Sequence, residues 1–189
     1  METQFVQKIY TADPSVDVAG SAAKSMVDNL ATSDIQDIIE RHGLGDIQPG
    51  DWVPLHEMCG MFNDAEAILG GGAAQVYVAM GMKIAEQSEF PSEMLESLTM
   101  EVMLMGWNDH YKANHRGAQL ADVASHKISD TSFELHFPAD GYPYPYNLAY
   151  GMAFGFCKKL LPKGINFKVE YDDVHSPYAD WTEGVVLRV

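Results

Sequence analysis

The sequence predicts an α+β fold: a helical N-terminal two thirds followed by a β-β-α-β-β unit with an antiparallel sheet. Two observations carry this expectation. As far as Ala113, apolar residues recur at the i, i+3, i+4, i+7 spacing of amphipathic helices. Beyond it, Phe133, Leu135 and Phe137 alternate with Ser132, Glu134 and His136, the period of a half-buried strand. A third feature, Tyr142 to Phe156, interrupts the strands. Pro143 and Pro145 impose an extended entry, and small residues (Ala149, Gly151, Ala153, Gly155) then alternate with Tyr150, Phe154 and Phe156. A helix of that make-up can lie very close to a sheet or leave a slot beside it for a flat apolar guest.

The elements follow in order. Ala22, Ala23, Met26, Val27 and Leu30 form a first short amphipathic helix. Ser33 with Gln36 makes a capping-box pattern before Ile35, Ile38, Ile39 and His42, and Gly43 is placed to stop that helix. Asp46 to Gly50 reads as a turn, with Asp51 capping a helix on which Leu55, Met58, Cys59, Phe62, Ala65 and Leu69 share a face. Gly70-Gly71-Gly72 follows no strand and lacks the Gly-Lys-Ser/Thr ending of a phosphate loop, so it reads as a helix–helix corner. Val76, Tyr77, Met80 and Ile84 point inward from the next helix.

Pro91 opens the longest expected helix, running to about Ala113. It is apolar on two stripes, Leu95, Leu98, Val102, Met105 and Met100, Met103, Leu104, Trp107, Tyr111, as expected of a central spine packed from both sides. Leu120 to Ile128 pairs with the Phe133 strand through a Ser129-Asp130-Thr131 turn. Tyr146, Tyr150, Ala153, Cys157 and Leu161 give a helix stopped at Pro162. Ile165, Phe167, Val169 and Tyr171 alternate as a third strand, and Val185, Leu187 and Val189 make a fourth.

Composition excludes several classes of partner. With 47% hydrophobic residues the 189-residue chain can bury a sizeable core. A net charge of −15 argues against nucleic acid and against anionic membrane surfaces. Cys59 and Cys157 lie outside any CxxC spacing and read as reduced core thiols of a cytoplasmic protein. Met1-Glu2-Thr3-Gln4 opens no signal-peptide pattern. The longest uncharged run, Ala67 to Met82, is shorter than the roughly 20 residues a bilayer requires, so no membrane insertion is expected.

Among chemistry-bearing residues His110 stands out. It follows Gly106 and Trp107 by about one turn and Met103 by two. A glycine beside an imidazole with apolar walls suits an axial ligand to haem iron, or a polar anchor in a hydrophobic pocket. The plainer alternative is a solvated histidine favoured by a helix C-terminus. His115, five residues on, falls on a different helical face and cannot chelate with it. Arg116 is available for a ligand carboxylate or phosphate. His126 and His136 are assigned to the solvent face of the hairpin, and Asp172-Asp173 with His175 to a solvated connection. His42 and His56 lack metal-ligand spacing. No G-x-S-x-G, H-E-x-x-H or G-x-G-x-x-G occurs, so no catalytic residue is assigned and the reading leans away from an enzyme without deciding it.

From Trp52 to Val189 the layout resembles the superfamily uniting H-NOX haem sensors, vinyl reductase-type domains and TRAPP subunits. The resemblance rests on element order and on Phe133-Glu134-Leu135-His136-Phe137, Tyr142-Pro143-Tyr144-Pro145, Asn147-Leu148-Ala149-Tyr150-Gly151 and Val185-Val186-Leu187-Arg188-Val189. It implies a helical N-terminal extension over residues 1–50 and a ligand-binding domain over 51–189. It implies haem as a candidate cofactor, with His110 in the place of the iron ligand. The family's Y-x-S-x-R propionate clamp is not matched, because Tyr142 to Tyr146 holds neither serine nor arginine. Arg116 is the candidate substitute.

The leading expectation is a sensor-type domain with an apolar pocket between the spine helix and the Tyr146–Leu161 helix. Its lining would be Met103, Trp107, His110, Tyr111, Tyr146, Tyr150 and Phe154, and its guest a small apolar molecule or a tetrapyrrole. Two alternatives stand beside it. One is an enzyme or carrier of tetrapyrrole metabolism, of vinyl reductase type. The other is an assembly or regulatory scaffold that dimerises through its helices and has no ligand.

Overall fold

The computed structural model describes residues 8–30, 35–90, 98–177 and 183–189. Helices dominate the N-terminal two thirds: α1 (Gly20–Leu30), α2 (Gln36–Arg41), α3 (Leu55–Leu69), α4 (Ala73–Gln87), α5 (Met100–Met105) and α6 (Trp107–Ala113). The expected strand–strand–helix–strand–strand order follows as β4 (Ala124–Ser129), β5 (Ser132–Phe137), α7 (Tyr146–Leu160), β6 (Glu170–Tyr171) and β7 (Val185–Arg188). These four strands form one antiparallel sheet in the order β4-β5-β7-β6. Alternation does what period two dictates: Phe133, Leu135 and Phe137 turn to the core.

A second sheet has no counterpart in the sequence reading. β1 (Asp17–Ala19) lies between β2 (Trp52–Pro54) and β3 (His115–Arg116). Val18 pairs with Val53 on one side and His115 on the other. Strands of two or three residues are too short to print an alternation. Their importance is positional, since they tie the N-terminal segment to the residues just after α6.

Three helical boundaries differ from expectation. The spine is not one helix. Within the described residues Leu98 and Thr99 are non-helical, and Thr99 starts α5 by accepting the Val102 N–H at 3.2 Å. Gly106 then separates α5 from α6. The Pro91 start and Leu95, like the Ser33 cap, lie outside the described residues. Asp51 does not cap α3; its carboxylate accepts the Gln48 N–H at 2.7 Å, and Pro54 sits at the helix start. The triple glycine forms a single 3-10 turn, leaving Leu55–Gln87 as one 33-residue helical run. That run is long and apolar enough, by length and composition, to cross a membrane, a test that core helices of soluble proteins also pass.

The strand readings were also too long. β4 starts at Ala124 rather than Leu120, and only Glu170–Tyr171 of the third strand pairs. Ile165 is exposed in a connection.

The glycines of α7, Gly151 and Gly155, face α4 rather than the sheet. A Cβ on Gly151 would stand 2.2 Å from the Val78 carbonyl, and one on Gly81 2.2 Å from the Leu148 carbonyl. The slot expected beside these glycines is closed by the neighbouring backbone. Reciprocal glycines let the two helices approach more closely than side chains permit.

Candidate functional site

An open cavity of about 520 Å³ lies on the other flank of α7. Its floor is aromatic and aliphatic: Trp107 and Tyr111 from α6, Tyr142 and Tyr144 from the proline segment, and Leu148 and Phe156 from α7. All six are buried. Ser25 and Met26 of α1 close one side. The mouth is polar and exposed, with Ser21, Gln87, Glu89 and His110 around it.

Local sequence builds this floor. Pro143 and Pro145 keep the entry extended, so Tyr142 and Tyr144 project inward before the helix begins. The entry is clamped at several points. Cys59 Sγ donates to the Pro143 carbonyl at 3.6 Å, and Lys8 Nζ to the Tyr142 carbonyl at 2.8 Å. Tyr142 stacks on Tyr146 with centroids 5.7 Å apart, while Tyr146 Oη donates to the Pro138 carbonyl at 2.9 Å. Lys8 is itself half-buried over the Tyr146 ring, and burial lowers its ammonium pKa to about 8.

His115 enters the cavity wall because β3 pairs with β1. Its Nδ1 lies 2.7 Å from the Tyr111 carbonyl, which only accepts, so Nδ1 carries the proton. Nε2 is therefore the acceptor and takes a hydrogen bond from the Tyr144 hydroxyl at 2.6 Å. Burial holds this imidazole below its ordinary pKa, and the Tyr111 carbonyl opposes that shift. The result is a neutral, fully engaged histidine. The Tyr111 hydroxyl is in the opposite condition: it is buried and has no hydrogen-bond partner among the described residues.

The expected site residues divide into two groups. Met103, Trp107, His110 and Tyr111 all line the cavity, with His110 at its exposed mouth. Arg116 does not reach it; its guanidinium holds Asp17 at 2.8 Å and lies over Trp52. Tyr146, Tyr150 and Phe154 face elsewhere. Tyr150 donates to the Val169 carbonyl at 2.9 Å beside a shallower groove of about 550 Å³, and Phe154 packs on Phe167. The cavity instead uses Leu148, Met152 and Phe156 of the same helix. Residues two apart on a helix point to nearly opposite sides, and Gly151 with Gly155 was the available sign of which side approaches another helix.

Two other clusters complete the inventory. His42, read as lacking metal-ligand spacing, has Nδ1 2.8 Å from Glu57 and Nε2 3.1 Å from Asp64. Asp172 is buried rather than solvated; it pairs with Arg188 and accepts the Val174 N–H at 2.9 Å. That hydrogen bond is the main cause holding its carboxyl below the usual range. Among the described residues no group of three or more His, Cys, Asp or Glu could hold a metal ion. Both cysteines are buried free thiols, and burial pushes each up to about 12.

A helical layer over an antiparallel sheet, with an aromatic-floored cavity between α1, α6 and α7, defines the class as an α+β domain. Comparison with solved structures gives the particular fold. An I5F mutant of T. tengcongensis H-NOX superposes with a TM-score of 0.64 at 14% identity, covering 90% of this chain and 95% of that one. An S. oneidensis H-NOX in the Fe(II) ligation state gives 0.63 at 14%, covering 89% and 93%. An oxygen-binding H-NOX domain related to soluble guanylate cyclases gives 0.61 at 15%, covering 89% and 90%. The chain therefore has an H-NOX-like fold. No family model and no curated protein sequence matches it.

Haem, the group this fold implies, carries two carboxylates, and the lining supplies no cationic side chain to meet them. All twelve lysines and arginines of the chain lie among the described residues, and none lines the cavity. Three that adjoin lining residues are committed elsewhere. Lys8 donates to the Tyr142 carbonyl. Lys159 donates to the Ala85, Glu86 and Ser88 carbonyls at the end of α4, and Lys112 pairs with Asp122. The charged side chain at the mouth, Glu89, has the wrong sign. His115 Nε2 is occupied by Tyr144. The residues present do not fit haem.

Proposed function

We propose that the chain is a non-enzymatic, sensor-type domain holding a small, predominantly apolar molecule in the cavity between α1, α6 and α7. The cavity itself carries this reading. At about 520 Å³ it falls within the roughly 300–1,000 Å³ of small-molecule sites, and it combines a buried aromatic floor with an open polar mouth. A guest there touches α1 of the N-terminal half together with Tyr144 and α7 of the C-terminal half. Occupancy then changes the contact between the halves, which is what a sensor needs. The reading takes the domain as soluble and cytoplasmic, consistent with its charge of −15.

The test uses Nile red, an uncharged dye whose emission reports an apolar site. Saturable binding at one site is expected for the wild type. Ser25→Trp fills the cavity from its side wall and should abolish that binding while the protein stays folded. Equal binding by both proteins would overturn the reading. The tetrapyrrole version, haem with His110 at the iron, is checked separately with hemin: only an absorption change lost in His110→Ala would support it.

A further inference from the structure

We infer that the guest is an organic monocation, with a compact apolar body inside the cavity and one ammonium group at the mouth beside Glu89. This deepens the ligand-binding reading above and rests on it.

Three observations converge on a positive charge. The first is the charge of the lining. Glu89 lines the mouth and is exposed, so an incoming guest meets it before the floor. Among the described residues no cation pairs with it, and none of the twelve lysines and arginines lines the cavity. The second is the floor. Trp107, Tyr111, Tyr142, Tyr144 and Phe156 bring five aromatic side chains to one cavity. Aromatic faces carry negative potential and attract cations, more strongly where water is excluded. The chain already uses rings of this cluster that way: Lys8 Nζ lies 5.5 Å from the Tyr142 centroid and 4.0 Å from that of Tyr146.

The third observation is the end of α4. Gln87 closes that helix, and Ser88 and Glu89 follow it into the mouth. A helix C-terminus favours positive charge. Here the Ala85, Glu86 and Ser88 carbonyls all accept from the Lys159 ammonium. With Lys159 committed to those carbonyls, the Glu89 carboxylate is left for a cation from outside. An ammonium at the mouth keeps part of its water while its hydrocarbon covers the aromatic floor. A carboxylate drawn inside would lose its water without gaining a counter-ion.

Calorimetric titration at low ionic strength with one body in three charge states tests this: 2-naphthylmethylammonium, 2-naphthylmethanol and 2-naphthoate. The ammonium should bind the wild type about threefold more tightly than the alcohol, the size of one exposed ion pair. The carboxylate should bind at least about tenfold more weakly than the alcohol. Glu89→Gln should remove the ammonium's advantage, and added salt should narrow it. A chain at −15 also attracts cations without any site. Ser25→Trp, which fills the cavity, separates the two effects and should abolish binding of all three probes. The inference is overturned by an ammonium no tighter than the alcohol, or by a carboxylate as tight as the ammonium. It is equally overturned by an advantage kept in Glu89→Gln, or by ammonium binding kept in Ser25→Trp when the alcohol's is lost. In each case binding of the alcohol leaves the ligand-binding reading standing. Failure of all three probes to bind takes down both.

Discussion

The Tyr144 hydroxyl donates to His115 Nε2 across 2.6 Å, joining the proline segment ahead of α7 to the strand that follows α6. Twenty-nine residues separate the two in the chain. The pair fixes the tautomer of His115 and closes the floor of the cavity. Tyr144→Phe keeps the ring packing against Phe62 and Tyr111 but leaves a half-buried acceptor unmet. A loss of about 1–2 kcal/mol is expected, read from urea unfolding.

His115 also sets a pH dependence. Its folded pKa is below the ordinary 6.5, chiefly through burial, so the unfolded chain binds the proton more readily. The sign follows: this contribution is fully present above about pH 6.5 and is lost as pH falls through the lowered folded value. Urea midpoints at about pH 7.5 and about pH 5 should drop more for the wild type than for His115→Gln. An equal drop in both proteins would mean that His115 is not buried neutral.

The α4–α7 crossing makes a separate prediction. Gly151→Ala places a methyl 2.2 Å from the Val78 carbonyl, backbone that cannot swing aside. Forcing the helices apart should cost at least about 1–3 kcal/mol. Ala149→Gly on the same helix is the control, expected to lose only about 1 kcal/mol through helix propensity and lost packing. Thermal melts of the two variants distinguish a tight crossing from a merely helical preference.

Tyr111→Phe should behave unlike an ordinary core substitution. It removes a buried hydroxyl that pairs with nothing among the described residues, so the ligand-free variant is expected to be as stable as the wild type or slightly more so. Loss of more than about 1 kcal/mol on unfolding would show that the hydroxyl has a partner within the protein.

Much of the architecture could be read from residue order. The period-two run at Phe133–Phe137 and the proline-led helix at Tyr146 gave the strand–strand–helix–strand–strand unit, because strong periodicity and proline stereochemistry act locally. The β1–β2–β3 sheet was invisible, since its register depends on distant chain segments meeting. The cavity was half legible. Met103, Trp107, His110 and Tyr111 were found from helical spacing. The α7 face was misjudged because Tyr146, Tyr150 and Phe154 form as good a stripe as Leu148, Met152 and Phe156. Only the packing of Gly151 on α4 decides between them. The commitment of Arg116 to Asp17 likewise spans 99 residues and left no local signal.

The cavity as a ligand site is tested most directly by a nitrogen-edited NMR titration of the wild type with 2-naphthol. Saturable shifts should cluster on the Trp107 indole N–H and on the backbone amides of Ser25, Tyr111 and Leu148, which surround the cavity. Shifts that fail to saturate, or that gather instead at the Tyr150 groove between α4 and α7, would contradict a ligand site there.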